Sequence, residues 1–422
     1  YLHCPECGTN KSIVIDTGIT CPKCGKGHLV KRKSRRGRYF YGCSTYPACD
    51  MALWNEPVDK FCPVCGHIMV KRVYKNGTEK VFCAMANALV ERGHNVTAVC
   101  HEKLKGLPGY PLDKRVNFVN AEGRLPFWCS KFFIKLRAFR FNRERRRKNR
   151  IELESRLLGV ALHNAFKKSN ADCIISFQGE TTHAIKPFIG DIPIVTMLHG
   201  NPEFYLETCP VFKEALNEST AVQFLMPEYA EAVKEIAPGV KTVCIPNAIP
   251  QKEANANWAS HIIINVARFD PNQKRQDLLV QAFAKISRIF PEWTLELWGE
   301  RFLEPDFNRK VEAIIAQNHL EKQVKLCGTT NTPDKEMRRA SIFAFPSKYE
   351  GFPLALGEAM ANGLPAIGWE GCPSVNTLIR SEQNGLLCDE TPEAIAMGLA
   401  RLMCDEGYRE KLGKRSEEHT SE

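Results

Sequence analysis

The sequence predicts an α/β chain: two doubly wound, Rossmann-like domains preceded by small β ribbons organised by cysteines. Three observations predict it. The 422 residues give room for two or three domains, and 44% hydrophobic with 25% charged residues is the balance of an ordinary globular chain. Nine of the eighteen cysteines fall within residues 1–83, and the other nine are scattered without a repeated spacing. From residue 84 onward, short β-rich runs alternate with helical stretches in two sets, joined by a polar stretch at 251–260. This composition excludes collagen-like, disordered and coiled-coil chains. The longest apolar runs, such as Ile262-Ile263-Ile264, fall far short of the roughly 18–20 residues of a spanning helix. The chain opens at Tyr1 without Met or a basic-apolar leader, so the reading expects a cut N-terminus and a reducing, cytoplasmic location.

The cysteines come in Cys-x-x-Cys knuckles. The clearest unit is Cys21-Pro-Lys-Cys24, followed by eighteen residues and then by Cys43 and Cys49. Such knuckles return two sulfurs each from tight turns, and four thiolates at tetrahedral corners are what zinc takes. Between them Lys31, Arg32, Arg35, Arg36 and Arg38 form a basic hairpin tip that runs into Tyr39, Phe40 and Tyr41. Cations interleaved with rings suit single-stranded nucleic acid, with charge for phosphates and rings for bases. Equally, the rings can form the small core of the ribbon. A second unit starts at Cys62 and Cys65 and reaches Cys83, but its fourth ligand does not follow; the next cysteine is Cys100. Cys4 and Cys7 form a third knuckle whose partners the spacing leaves open.

Cys-Pro-Lys-Cys-Gly, the basic hairpin, Phe-Tyr-Gly-Cys-Ser-Thr-Tyr-Pro-Ala-Cys and Met-Ala-Leu-Trp resemble the C-terminal zinc ribbons of bacterial type IA DNA topoisomerases, over residues 1–83. The resemblance implies zinc and single-stranded DNA as ligands. It brings no topoisomerase catalytic core, since the tyrosine nucleophile and acidic metal site have no counterpart.

The first βα set reads as a helix over 84–92 capped by Gly93, then strands at 95–100, 116–119, 173–177, 194–198, 221–225 and 242–245. The second has strands at 261–266, 295–298, 324–327, 342–345, 365–367 and 386–388. The domains are therefore expected at 84–250 and 261–414, facing each other across a cleft, with ligands beyond the carboxyl ends of the strands.

Two strand ends carry chemistry. The strand at 261–266 leads into Arg268 and Lys274, six residues apart at a turn into a helix and able to neutralise a diphosphate from two sides. The alternative is a surface ion pair of Arg268 with Asp270 or Asp277. The strand at 342–345 leads into Glu350, Gly351, Phe352, Pro353 and Leu354, then a helix carrying Glu358. Two carboxylates so spaced can hold separate groups of a polyhydroxy ligand, and Gly351 lets backbone amides approach it.

These blocks, with Pro246-Asn247 and Asn384-Gly-Leu-Leu, resemble the retaining family-4 glycosyltransferases of GT-B fold over residues 84–414. The resemblance implies transfer from a nucleotide-diphosphate sugar, usually a UDP-sugar, with retention and without a metal. The acceptor would be a glycan or lipid-linked sugar in cell-surface polysaccharide or glycolipid synthesis. It assigns Arg268 and Lys274 to the leaving diphosphate, Glu358 to the ribose and Glu350 to the sugar. The amides from Gly351 to Leu354 would line the donor pocket, and His199 would contact sugar or acceptor. The chain departs from the pattern at Ala267, where Gly is usual, and at Trp298-Gly299-Glu300, where the turn is richer in glycine. It also enters at the first helix, without the family's first strand and glycine loop; loss of that central strand predicts a split sheet. Residues 80–83 would be a makeshift substitute strand.

Residues 131–150 hold ten Lys or Arg against Glu144 alone, interleaved with aromatics. They read either as a peripheral contact with an anionic membrane surface at its inner face or as a solvated helix. The tail 415–422 matches the peptide encoded by a widely used sequencing adapter. Together these features predict a chimera of two gene fragments. The leading expectation is the glycosyltransferase; the alternative is a zinc-dependent, single-stranded DNA-binding fragment of DNA topoisomerase I.

Overall fold

The computed structural model describes residues 2–3, 10–11, 15–33, 39–53, 57–61, 68–70, 77–101, 109–121, 143–167, 169–249, 256–301, 305–330 and 332–421. Cys4, Cys7, Cys62, Cys65, Arg35, Arg36, Arg38, the linker residues 251–255 and the basic stretch 131–142 lie outside them. The chain divides into two compact units, Tyr1–Asn76 and Gly77–Glu422. The division falls seven residues before the sequence-based boundary.

The first unit is antiparallel. β1 (Leu2–His3) pairs with β2 (Asn10–Lys11), and β7 (Pro57–Phe61) with β8 (Ile68–Val70). Between them β3 (Ile15–Thr20), β4 (His28–Lys33), β5 (Tyr39–Cys43) and β6 (Ala52–Leu53) form a four-stranded sheet in chain order. Its buried centre is Leu29 with Cys21, Cys43 and Cys49. So small an apolar core needs a further staple, which the thiols can supply through a metal.

The second unit opens with a helix, α1 (Gly77–Glu91), with Cys83, Ala86 and Val90 buried along one face. This corrects the expectation of a makeshift strand at 80–83. Spacings of three and four residues place those side chains on one helical stripe, a pattern that a strand would split between two faces. Gly93, at φ 87°, ends it as expected.

The first sheet of this unit is split. β9 (Thr97–Cys100) pairs in parallel with β10 (Asn117–Asn120). β11 (Ile174–Ser176), β12 (Ile194–Met197), β13 (Ala221–Phe224) and β14 (Lys241–Cys244) form a separate parallel sheet in that order. Among the described residues no strand joins the two, as the missing first strand predicts. The helix Arg143–Phe166 packs beneath both: Leu158 and Leu162 share one apolar cluster with Val99 of β9 and Ile174 of β11.

The second sheet is continuous. β15 (Ile262–Val266), β16 (Thr294–Trp298), β17 (Val324–Gly328), β18 (Ile342–Phe345), β19 (Ala366–Trp369) and β20 (Gly385–Cys388) are all parallel, in the order β17-β16-β15-β18-β19-β20. Relative to its own first strand that is 3-2-1-4-5-6, the doubly wound order, whose switch point lies between β15 and β18. Two apolar clusters cover it, one around Leu279, Phe283, Trp293 and Leu297, the other around Phe343, Phe345, Leu356 and Met360. Every residue of β18 is buried, as an inner parallel strand requires. The stretch 256–260 is packed rather than free: the Trp258 indole N–H donates to the Gly363 carbonyl at 2.8 Å. The tail continues the helix Glu406–Ser421, with Ser416 buried against the Asn384 carbonyl.

Among the described residues no helix is long and apolar enough to cross a membrane.

Candidate functional site

The loops after β15 and β18 meet at the switch point and form one polar network. Arg268 donates to Asp270 at 3.1 Å and to the Gln273 side-chain oxygen at 2.5 Å. The Gln273 amide nitrogen donates onward to the Tyr349 carbonyl at 3.0 Å and to Glu350 Oε2 at 3.4 Å. Lys274 forms an ion pair with Glu350, both largely buried, and lies 5.2 Å from the centre of the Phe345 ring. Asp270 holds the turn by accepting from the backbone N–H groups of Asn272 and Gln273. Burial pushes its carboxyl up, but those two donors and Arg268 outweigh it and hold the group below its ordinary range. Arg268 thus makes the pair with Asp270 read as the alternative, and also reaches the carboxylate loop through Gln273. Asp277 pairs with Arg275 and Lys310 instead.

Glu350 is fixed from behind. Its carbonyl accepts the Tyr229 hydroxyl at 2.6 Å and the Ser374 hydroxyl at 3.1 Å. Burial pushes the Tyr229 hydroxyl far up, so it stays a donor. Tyr229 follows β13 of the four-stranded sheet of the first domain, so this bond crosses the cleft. Gly351 crosses it more closely still. A Cβ there would stand 2.2 Å from the His199 carbonyl oxygen and 2.6 Å from Gly200 Cα. Only glycine fits, because backbone faces backbone.

His199 stacks on Phe177 with ring centres 4.8 Å apart and planes 17° from parallel. Phe82 of α1 meets Phe177 edge-on at 5.2 Å. Both His199 ring nitrogens are buried without a hydrogen-bond partner among the described residues, and burial pushes its pKa down to about 4. A neutral imidazole with two unanswered polar atoms fits a position that meets a ligand.

Glu358 lies on the helix Leu354–Ala361 and forms an ion pair with Lys80 of α1. That helix has no side-chain cap at its start. The expected amide set is narrower than the sequence suggests. Pro353 has no N–H, and the Leu354 amide donates to the Phe352 carbonyl at 2.9 Å. Gly351 and Phe352 remain from it.

In the first unit Cys21, Cys24, Cys43 and Cys49 come together with all four sulfurs within 4.8 Å of one another. Cys21 and Cys49 are 3.8 Å apart, Cys24 and Cys43 3.6 Å. A zinc tetrahedron with Zn–S of about 2.3 Å has edges of about 3.8 Å, so the donor set fits the ion. The knuckle backbone prepares it: N–H groups of Lys26 and Gly27 on the Cys24 sulfur hold that thiol down to about 6. A Cβ on Gly27 would stand 2.8 Å from Cys43 Sγ and block closure. Cys83 is elsewhere, buried on α1 of the second unit.

The aromatic and basic residues of this unit divide. Tyr41 is buried, which corrects its assignment to a base-stacking face: facing Lys31 across the strands, it packs inward where the ribbon has little else to bury. Arg32 donates to the Cys43 carbonyl at 3.2 Å and lies 6.0 Å from the Tyr46 ring. Tyr39 stands opposite Lys33 in the register of β4 and β5.

Comparison with known proteins agrees with both halves. Residues 249–419 match the family of glycosyl transferases group 1. Residues 18–58 and 59–84 match the topoisomerase DNA-binding C4 zinc finger, a ribbon with the four-cysteine cluster described above. An uncharacterized glycosyltransferase of Haemophilus influenzae is 24% identical over 331 residues, covering 78% of this chain and 86% of its own. An exopolysaccharide phosphotransferase of Streptomyces coelicolor is 32% identical over 191 residues, 44% of this chain; the match spans only 20% of that relative's length. Anabaena HepE in complex with UDP and glucose is similar with a TM-score of 0.62 at 17% identity, covering 83% of this chain and 93% of its own. Sucrose-phosphate synthase of Thermosynechococcus elongatus gives 0.63 at 19%, covering 80% and 87%. The second unit therefore has a GT-B-like α/β fold.

Reading the sequence found Arg268, Lys274, Glu350 and Glu358 but missed what holds them. Gln273 stands beside Lys274 and could have been noticed as a polar residue in the same turn. Lys80, Phe177, Tyr229 and Ser374 gave no signal, since each reaches the site only through the fold.

Proposed function

We propose that the second unit transfers a sugar from a nucleotide-diphosphate sugar, a UDP-sugar first among them, to a glycan or lipid-linked acceptor with retention. The observation that carries this is the convergence of Arg268, Gln273, Lys274 and Glu350 at the switch point, with Glu358 on the adjoining helix. Two cations beside the strand ends offset the charge that grows on a departing diphosphate, the electrostatic help such a transfer needs. The bond from the anomeric carbon to the diphosphate breaks, a bond to the acceptor oxygen forms on the same face, and the acceptor's proton passes to the departing diphosphate oxygen. Glu350, held by Tyr229 and Ser374, orients the sugar hydroxyls, Glu358 takes the ribose, and no metal is needed. His199, neutral at pH 7, serves as hydrogen-bond partner rather than cation. A role in cell-surface polysaccharide or glycolipid synthesis follows from such an acceptor, with the chain cytoplasmic and residues 131–150 resting on the anionic inner face of the membrane. Calorimetry with UDP tests the donor reading: submicromolar to micromolar binding is expected, weakened at least tenfold by Glu358→Ala. Unchanged affinity would sink it.

A second reading covers the first unit alone, and the four-thiol cluster favours it: a zinc-dependent module for single-stranded DNA. Binding should weaken steeply with salt and vanish on chelation. Binding that survives zinc removal would count against it. We further infer that the chain joins two gene fragments, with the change between residue 76, where the compact units divide, and residue 84, where the ribbon match ends. Long reads of the source DNA across that join should find each half beside other sequence.

A further inference from the structure

We propose that Lys80 is a positioning residue for the donor site, a cross-cleft clamp that holds the Glu358 carboxylate aimed for the nucleotide. The inference rests on the donor reading above. Lys80 lies in the first turn of α1, on the far side of the cleft from the helix Leu354–Ala361, and its ammonium forms an ion pair with Glu358 across 278 residues of sequence. Glu358 is largely buried and Lys80 about two-thirds so, which keeps the pair from being an ordinary screened surface contact.

The pair is set within a tightly fitted contact. A Cβ on Gly77 would stand 2.7 Å from Leu354 Cδ1, so the start of α1 lies directly on the start of the carboxylate helix. Glu79 accepts from the Gly109 amide at 2.6 Å, which anchors the same turn on its other side. Two residues after Lys80, Phe82 meets Phe177, which stacks on His199. One short helix thus touches three separate parts of the proposed site. A carboxylate that must accept two ribose hydroxyls has lone pairs to spare for one ammonium, and the ammonium fixes which rotamer it presents.

UDP affinity of the full chain tests this, measured by calorimetry on wild type, Lys80→Met, Lys80→Arg, Glu358→Gln and Lys80→Met/Glu358→Gln. Lys80→Met is expected to weaken UDP binding about tenfold, Lys80→Arg to restore most of it, and the double variant to bind no worse than Glu358→Gln alone. A melting curve without UDP identifies any variant that has lost its fold; for such a variant Lys80→Gln replaces Met, with the same expectations. UDP binding as tight as or tighter than wild type in the Lys80 variants would overturn the proposal, the tighter case marking Lys80 as a competitor for the carboxylate. If Glu358→Gln itself leaves affinity unchanged, the donor reading fails instead.

Discussion

The two domains of the second unit are built from the same βα repeat, yet they differ in continuity. The later one has six parallel strands in one sheet, covered by two large apolar clusters. The earlier one has two strands and four strands, held together through the helix Arg143–Phe166 and smaller clusters around Ile194 and Val222. Parallel strands depend on burial of both faces and on a neighbour at each inner edge. A sheet divided at its middle keeps its local pairs but loses the ladder that makes the whole cooperative. The turns carrying Arg268, Lys274 and Glu350 stand on the continuous sheet, whereas His199 stands on the divided one.

Four experiments would break or sharpen that contrast. The largest effect should come from chelation. If the ribbon unit depends on its thiol cluster, zinc removal should take away about 10–16 kcal/mol of metal-coupled folding there and leave the UDP-induced rise in melting temperature unmoved. A loss of that rise would mean that the two compact units fold as one. Next comes the core of the continuous domain. Phe283 is fully buried, and Phe283→Ala should cost about 3–5 kcal/mol, read by urea unfolding. Hydrogen exchange on the same chain should find the amides of β9 and β11 opening before those of β15 and β18. Equal protection would remove the contrast.

The third is a pH effect in the divided half. The pKa of His199 falls from 6.5 to about 4 on burial, so the unfolded chain binds the proton more readily. Its share of stability is complete above pH 6.5, is lost progressively as pH falls toward 4, and amounts to about 3 kcal/mol at most. His199→Phe, which keeps the stack on Phe177, should flatten that part of the stability curve; an unchanged slope would mean that another group sets it. Smallest is Gly351→Ala. Pushing a methyl against the His199 carbonyl should cost about 1–3 kcal/mol and weaken UDP binding by holding the two loops apart. Wild-type affinity would mean that the cleft closes without that contact.

Much of this could be read in advance. The strands of both domains start and end within two residues of the β-rich runs that predict them, most plainly at β15 and β18, where buried inner strands leave apolar runs behind. The Cys21, Cys24, Cys43 and Cys49 set was equally plain, since knuckle spacing is a geometric requirement of the turn. The start of α1 was misjudged by seven residues, where resemblance to a ribbon competed with the helical stripe of Cys83, Ala86 and Val90. Tyr41 was misjudged for a different reason. An alternating aromatic run does not say which of its faces a small sheet will bury.

Sequence alone determined the two kinds of unit, the α/β class, the turns that carry Arg268, Lys274 and Glu350, and the split of the first sheet. Each of these depends on residues near one another in the chain, or on one missing element. Only the tertiary structure decided that Lys80 meets Glu358, that Tyr229 and Ser374 hold the Glu350 carbonyl, and that Gly351 must be glycine. Those contacts form between loops and helices set at opposite lips of a cleft. The spacing across that cleft is fixed by how two packed cores meet, which no local pattern of residues records.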